Sequence, residues 1–133
     1  MKRTNAQARK KVKKHLERYG RQTNFVITQR LVMHWWSALN QAVFDGSLPK
    51  PVEIVVKPVK GAYGETLPTN CDNGSIHIDP ELSTREFFIT VLVHEMVHQY
   101  EMVHYGEMTH GPKFYEWKEI IEEQVGVKLM RDY

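Results

Sequence analysis

His94, Glu95 and His98 stand in the order His-Glu-x-x-His inside residues 91–100, an apolar, helix-compatible run. On an α-helix, residues four apart lie about 40° from each other, one turn along the axis. Two imidazoles so placed can aim at one point, which is what a tetrahedral zinc ion requires of two neighbouring ligands. Glu95 stands about 100° round from His94, near enough to touch a metal-bound water without being a ligand. The chemistry open to this set is hydrolysis: the metal acidifies water and polarises a carbonyl, and the carboxylate carries the proton. The bland alternative is two half-buried histidines bonded to carbonyls on an amphipathic helix. The context argues against it. Ser83 and Glu86 form a Ser-x-x-Glu capping box, and Phe87, Phe88, Val91 and Leu92 supply a buried face running into the motif.

A catalytic zinc needs a third protein ligand and an open position. Glu101, His104, Glu107 and His110 follow the motif. On a continuing helix His104 is about 240° from His98 and points away, while Glu101 lies about 60° off the line of the histidines. Glu107 and His110 fall in a loop, and His110 precedes Gly111-Pro112, where the chain has room to fold back. Spacing leaves the choice open.

The elements that must position these groups can be read around them. Residues 5–19 predict a helix stopped by Gly20, with a thin apolar face (Val12, Leu16, Tyr19) that suggests loose docking. Residues 28–45 predict a strongly amphipathic helix capped by Thr28, with at least one of Trp35 and Trp36 in the core rather than stacked on a base, and His34 at the surface or its boundary. Asp45-Gly46 ends it, and Pro49 and Pro51 prevent its resumption. Strands are expected at 52–57, 61–66 and 75–79, with Asn73-Gly74 as a hairpin-turn signal. Alternation puts His77 opposite Ile76 and Ile78, facing solvent. Pro112 opens a last helix whose buried side is Phe114, Trp117, Ile121 and Val125; Gly126 ends it before a short tail at 127–129.

At 133 residues the chain has room for one domain and its core. No apolar run approaches the roughly 18 residues of a membrane span, and no secretory signal is expected at the basic N-terminus. Cys71 is the only cysteine, which rules out an intrachain disulfide and a four-cysteine zinc site and fits a reducing, cytoplasmic setting. The net charge of +2 conceals an asymmetry. Residues 1–21 carry nine Lys/Arg against Glu17 alone, whereas residues 22–133 carry nine basic and fifteen acidic residues. We therefore divide the chain into a basic helical arm, 1–21, and a catalytic domain, 22–133. Lys10, Lys11, Lys13, Lys14 and Arg18 are the candidate contacts to nucleic-acid phosphates; the competing reading is a solvated helix.

Three segments together resemble the SprT-like (Spartan-type) zinc metallopeptidase family. They are Phe44-Asp45-Gly46-Ser47-Leu48-Pro49, His94-Glu95-Met96-Val97-His98, and His110-Gly111-Pro112-Lys113-Phe114, spread over roughly residues 25–125. The resemblance implies an α+β, zincin-like minimal metalloprotease domain. A small, mainly antiparallel sheet would pack with an N-terminal core helix, the motif helix and a C-terminal helix. It also implies one Zn2+ held by His94, His98 and His110, with Glu95 catalytic, and selects His110 among the open candidates. Better-known members act on DNA-bound or DNA-crosslinked proteins, which implies a protein substrate and DNA as a partner. Many relatives carry a cysteine-rich zinc ribbon, for which this sequence has no cysteines to spare; the basic N-terminus is the candidate substitute. Tyr63, Tyr100 and Tyr105 are candidate oxyanion donors. The expected molecule is a monomeric zinc endopeptidase without membrane contacts. Its rival is a DNA-binding module with structural zinc and no significant proteolysis, and a third reading is hydrolysis of a non-peptide bond.

Overall fold

The computed structural model of the chain describes residues 5–23, 25–68, 74–106, 108 and 111–129. Its elements are α1 (Asn5–Tyr19), α2 (Gln29–Phe44), β1 (Glu53–Val56), β2 (Gly64–Leu67), β3 (Ser75–Ile78), α3 (Arg85–Tyr105) and α4 (Pro112–Val125). The fold is α+β, with four helices around a three-stranded sheet.

α2 begins where the Thr28 hydroxyl accepts the Leu31 N–H, and ends at Asp45, which takes a left-handed φ of 57°. Its apolar stripes bury Val32, Trp35, Trp36, Leu39, Ala42 and Val43, while His34 stays exposed. The segment after α2 is pinned rather than free. Asn40 donates from Nδ2 to the Leu48 carbonyl and accepts the Leu48 N–H, at 3.1 and 3.0 Å. Gln99, fully buried on α3, donates to the Pro49 carbonyl at 2.8 Å and accepts the Trp36 indole N–H at 3.1 Å. One amide thus ties α3 to α2 and to the loop that follows it.

The strand order is β1-β3-β2, with β1 parallel and β2 antiparallel to β3. The sheet is therefore mixed, not mainly antiparallel. β3 inserts between its two predecessors, so the chain must cross from one edge to the other before returning through the middle. β2 and β3 pair in register Gly64↔Ile78 to Leu67↔Ser75, so residues 68–74 join them instead of a two-residue turn. Gly74 enters β3 at φ +75°, and Asn73 lies outside the described residues. Ile54, Ile76 and Ile78 bury the core face.

His77 does not face solvent. It lies on the face opposite Ile76 and Ile78, yet it is only 5% exposed, because both neighbouring strands reach over it. Glu65 lies 2.7 Å from its Nδ1 and Glu53 lies 3.1 Å from its Nε2. These bonds hold Glu53 below the usual carboxylate range, His77 first and Ser75 next. Alternation assigned the face correctly; cross-strand side chains then closed over it.

α3 starts one residue later than the capping box implies. Thr84, in extended conformation, accepts the Phe87 N–H at 3.1 Å and is the N-cap, in place of Ser83. The next orphan donors are satisfied from outside the helix: Arg85 N–H reaches the Gln22 carbonyl and Glu86 N–H the Gly20 carbonyl. Gly20 is required there, since a Cβ would stand 2.4 Å from the Leu16 carbonyl oxygen. α1 is firmly docked despite its thin apolar face. Ala8 and Val12 are buried in the common core, and Arg9 Nε donates to the Ala42 carbonyl at the end of α2. At the other end of the chain, Phe114, Ile121, Val125, Val127 and Leu129 close the core, so the tail at 127–129 is packed.

Gln99→Leu keeps the size of the side chain but strands the Trp36 N–H and the Pro49 carbonyl. Each buried orphan costs roughly 1–3 kcal/mol, so calorimetry should show Tm falling by about 5 °C or more. An unchanged melting curve would show that the amide does not hold α2 to α3.

Candidate metal centre

α3 runs unbroken through the motif to Gly106, where a φ of 75° ends it. His94 and His98 therefore keep helical spacing, with ring centroids 4.7 Å apart and Nε2 atoms 3.2 Å apart. Zinc–nitrogen bonds of about 2.0–2.1 Å at tetrahedral angles place neighbouring donor nitrogens about 3.3 Å apart. The observed pair fits that separation. Behind His98, Glu101 Oε1 lies 2.9 Å from Nδ1, and both residues are buried. A carboxylate there accepts a hydrogen bond from Nδ1–H, which keeps the proton on Nδ1 and leaves the Nε2 lone pair facing His94, as a metal-bound imidazole requires. The two imidazoles thus have the spacing that two neighbouring zinc ligands would need.

Glu95 is 3% exposed, with Oε2 3.9 Å from His94 Nε2. The Thr66 hydroxyl on β2 lies 2.8 Å from its Oε1 and 3.0 Å from its backbone carbonyl. Burial pushes the Glu95 carboxyl up to about 7; the Thr66 hydrogen bond opposes the rise and the charge of Glu65 adds to it. That value suits a group that takes and returns a proton near neutrality. The contact with β2 depends on Gly64, where a Cβ would meet Val91 Cγ1 at 2.9 Å and Glu95 Cγ at 3.2 Å. Any larger residue would push the strand away from the carboxylate.

α4 closes the other side. The Phe114 ring stacks on His98 with centroids 5.5 Å apart and meets His94 edge-on at 5.1 Å. Phe114 lies three positions after Gly111, the N-cap of α4, so this helix begins beside the histidines.

Of the third-ligand candidates, Glu101 backs His98 from Nδ1, and His104 is exposed against Tyr100. Glu107 and His110 lie outside the described residues. Among the described residues, no group of three His, Cys, Asp or Glu side chains is poised to hold a metal. Tyr63 sits edge-on to Phe87, Tyr100 packs with Phe44 and Trp117, and Lys113 Nζ lies over Tyr105. Lys10, Lys11, Lys13, Lys14 and Arg18 are all exposed on α1. Sequence reasoning missed three parts of the site. Glu101 was legible as an i,i+3 neighbour of His98, but as a support and not a ligand. Thr66 and Gly64 carry no local signal, because their roles exist only once β2 meets α3.

An α+β domain with a buried His-Glu-x-x-His helix against a small sheet is a compact, zincin-like domain. The chain belongs to the SprT-like family, whose model matches residues 32–131, and this makes it a metallopeptidase-like domain. α1 lies outside that matched span. No protein of curated function matches the chain. No helix among the described residues is long and apolar enough to cross a membrane.

Glu101→Ala removes the Nδ1 partner of His98 while leaving both imidazoles in place. Competition with a chelator should show metal affinity about 10–100-fold lower. Equal affinity would mean that Glu101 only fills space.

Proposed function

We propose that the chain is a zinc-dependent endopeptidase in which His94, His98 and His110 hold the metal and Glu95 is the general base. The observation that carries this reading is the convergence of the two Nε2 atoms at 3.2 Å beside the Glu95 carboxyl. His110 is supported by its place one residue before the N-cap of α4, whose Phe114 already lies on both imidazoles. Zinc bound there supplies an acidified water and a Lewis acid for the scissile carbonyl. Glu95 takes the proton of the attacking water and returns it to the leaving amine. Thr66 holds that carboxyl from β2, Glu101 orients His98, and Phe114 keeps the inner wall dry. β2 is the edge strand beside α3, and an extended peptide can add to it through main-chain hydrogen bonds.

The substrates we propose are proteins associated with or crosslinked to DNA, and the molecule acts as a monomer in the cytoplasm. Support for the DNA component comes from α1. At about 100° per residue, Lys10, Lys14, Arg18 and Lys11 fall within about 100° of one another on its outer face, with Lys13 beside them. Ala8, Val12 and Leu16 take the opposite side, against the core.

The decisive comparison is zinc-loaded protein against Glu95→Gln, with a DNA-binding protein as substrate and DNA present or absent. Turnover should fall at least about 10²-fold, with one zinc per chain retained. A purified chain without stoichiometric zinc, or a Glu95→Gln variant that still cleaves, would sink the peptidase reading; intact DNA binding with no cleavage by the parent would favour a binding module.

The pH profile tests the carboxylate separately. Only the ionised form of Glu95 accepts a proton, so the rate should climb as pH rises through its pKa. The Thr66 hydrogen bond lowers that pKa, so Thr66→Val should move the acid limb to higher pH. A limb that stays in place would assign it to another group.

A further inference from the structure

β1 and β2 are the two edges of the sheet; β2 lies against α3 and β1 against α2. Between β1 and α2 runs an open groove of about 990 Å³ that the hydrolytic site does not use. Residues 50–55 form one wall, and Gln29, Arg30, Met33 and Ser37, spaced along one face of α2, form the other. The groove is apolar at its base: Trp36, Pro51 and Ile54 are buried there, and beside them Val52 stands 56% exposed. A continuous apolar surface of this kind marks a contact site. Arg30 and Lys50 supply its cations. The one acid that lines it among the described residues, Glu53, already holds Ser75 Oγ and His77 Nε2 on a single carboxylate oxygen, each at 3.1 Å.

The backbone of β1 is itself suited to a further strand. Lys57 N–H bonds the Ile78 carbonyl across the parallel pair, so alternation turns the peptide groups of Ile54 and Val56 away from β3. On that outer side the Ile54 carbonyl accepts the Gln29 side-chain amide. A primary amide offers the same N–H donor as a peptide group. Gln29 therefore stands where the backbone of a neighbouring strand would. An edge of this kind is a template for an extended chain, and the four residues of β1 present about 13 Å of it.

We propose that this groove takes an extended segment of another protein, added as a strand along the outer edge of β1, with apolar side chains over Met33 and Trp36 and carboxylates on Arg30 and Lys50. The segment takes the place of Gln29 at the Ile54 carbonyl, so that acceptor keeps a partner throughout. Charge selects an acidic partner over a second copy of this chain. A copy pairing through the same edge would double the cations and bring only Glu53 along β1 to meet them. The docked segment leaves β2 open, so a partner at β1 and a peptide at β2 occupy opposite edges of the sheet.

The probes are end-blocked heptapeptides that alternate valine with glutamate or valine with lysine, and the glutamate peptide N-methylated throughout. Each is titrated into the isotope-labelled, zinc-loaded full chain carrying Glu95→Gln, which keeps any peptide intact, while the backbone amide resonances are followed. The glutamate peptide should shift the amides of residues 52–56 saturably, and the lysine and N-methylated peptides should not. Arg30→Glu should weaken the glutamate peptide about tenfold or more and admit the lysine peptide. Ser37→Trp fills the groove from an exposed position on α2 and should weaken the glutamate peptide about as much. The amide spectrum of each variant reports whether it is folded. Absence of saturable shifts with the glutamate peptide would overturn the proposal, as would shifts centred on residues 64–67, which put the peptide on β2. Equal binding of the N-methylated peptide would rule out strand addition. Concentration-dependent shifts at 52–56 without peptide would make a second copy the occupant and overturn the acidic partner. None of these readouts needs turnover, so the peptidase reading stands or falls separately.

Discussion

α3 is buried without a break from Phe88 to Gln99, and that burial imposes the strictest condition on the molecule. A helix enclosed on all sides is normally apolar all round. This one carries His94, Glu95, His98, Gln99 and Glu101 into the interior, where a polar group without a partner is expensive. Glu101 answers His98, Thr66 answers Glu95, and Gln99 is shared between Trp36 and Pro49. Each bond also removes a degree of freedom from a group that must be aimed. The two Nε2 atoms are left facing each other at 3.2 Å.

The rest of the fold can be understood as supports for that helix. Gly20 and Gln22 accept its first orphan N–H groups, so the turn after α1 serves as part of its cap. The segment after α2 is clamped by Asn40 on one side and Gln99 on the other. Gly64 lets β2 approach closely enough for Thr66 to reach the carboxyl. These supports come from three different parts of the chain: the turn after α1, α2 with the segment that follows it, and β2. A displacement of any one would be felt at the imidazoles or the carboxylate, because packed interiors transmit strain.

α1 joins the family-matched span as a docked element and not as a tether. Arg9 is spent on the Ala42 carbonyl and on an ion pair with Asp45, which leaves the lysines at 10, 11, 13 and 14 and Arg18 to face solvent. Their charge is thereby presented from a fixed direction on the body that carries the His-Glu-x-x-His helix. A basic surface held rigidly on the domain can orient a charged assembly in a limited set of ways. A flexible tail would only raise the local concentration.

Sequence by itself was sufficient wherever a property belongs to one element. Helical spacing puts His94 and His98 one turn apart on the same face, Thr28 caps α2, Gly126 stops α4, and the Lys/Arg run makes α1 basic. The motifs also carried the family, because three short segments in a fixed order are hard to match by accident. What belongs to two elements at once was decided by tertiary structure. β3 entered the sheet between β1 and β2, so His77 was covered by two glutamates that alternation could not see. Thr84 displaced Ser83 as the cap once the turn after α1 supplied carbonyls to the next two N–H groups. Thr66 and Gly64 acquired their meaning only when β2 packed on α3. Periodicity and capping act over a few residues along the chain, whereas a hydrogen bond across 29 positions exists only after the intervening chain has folded.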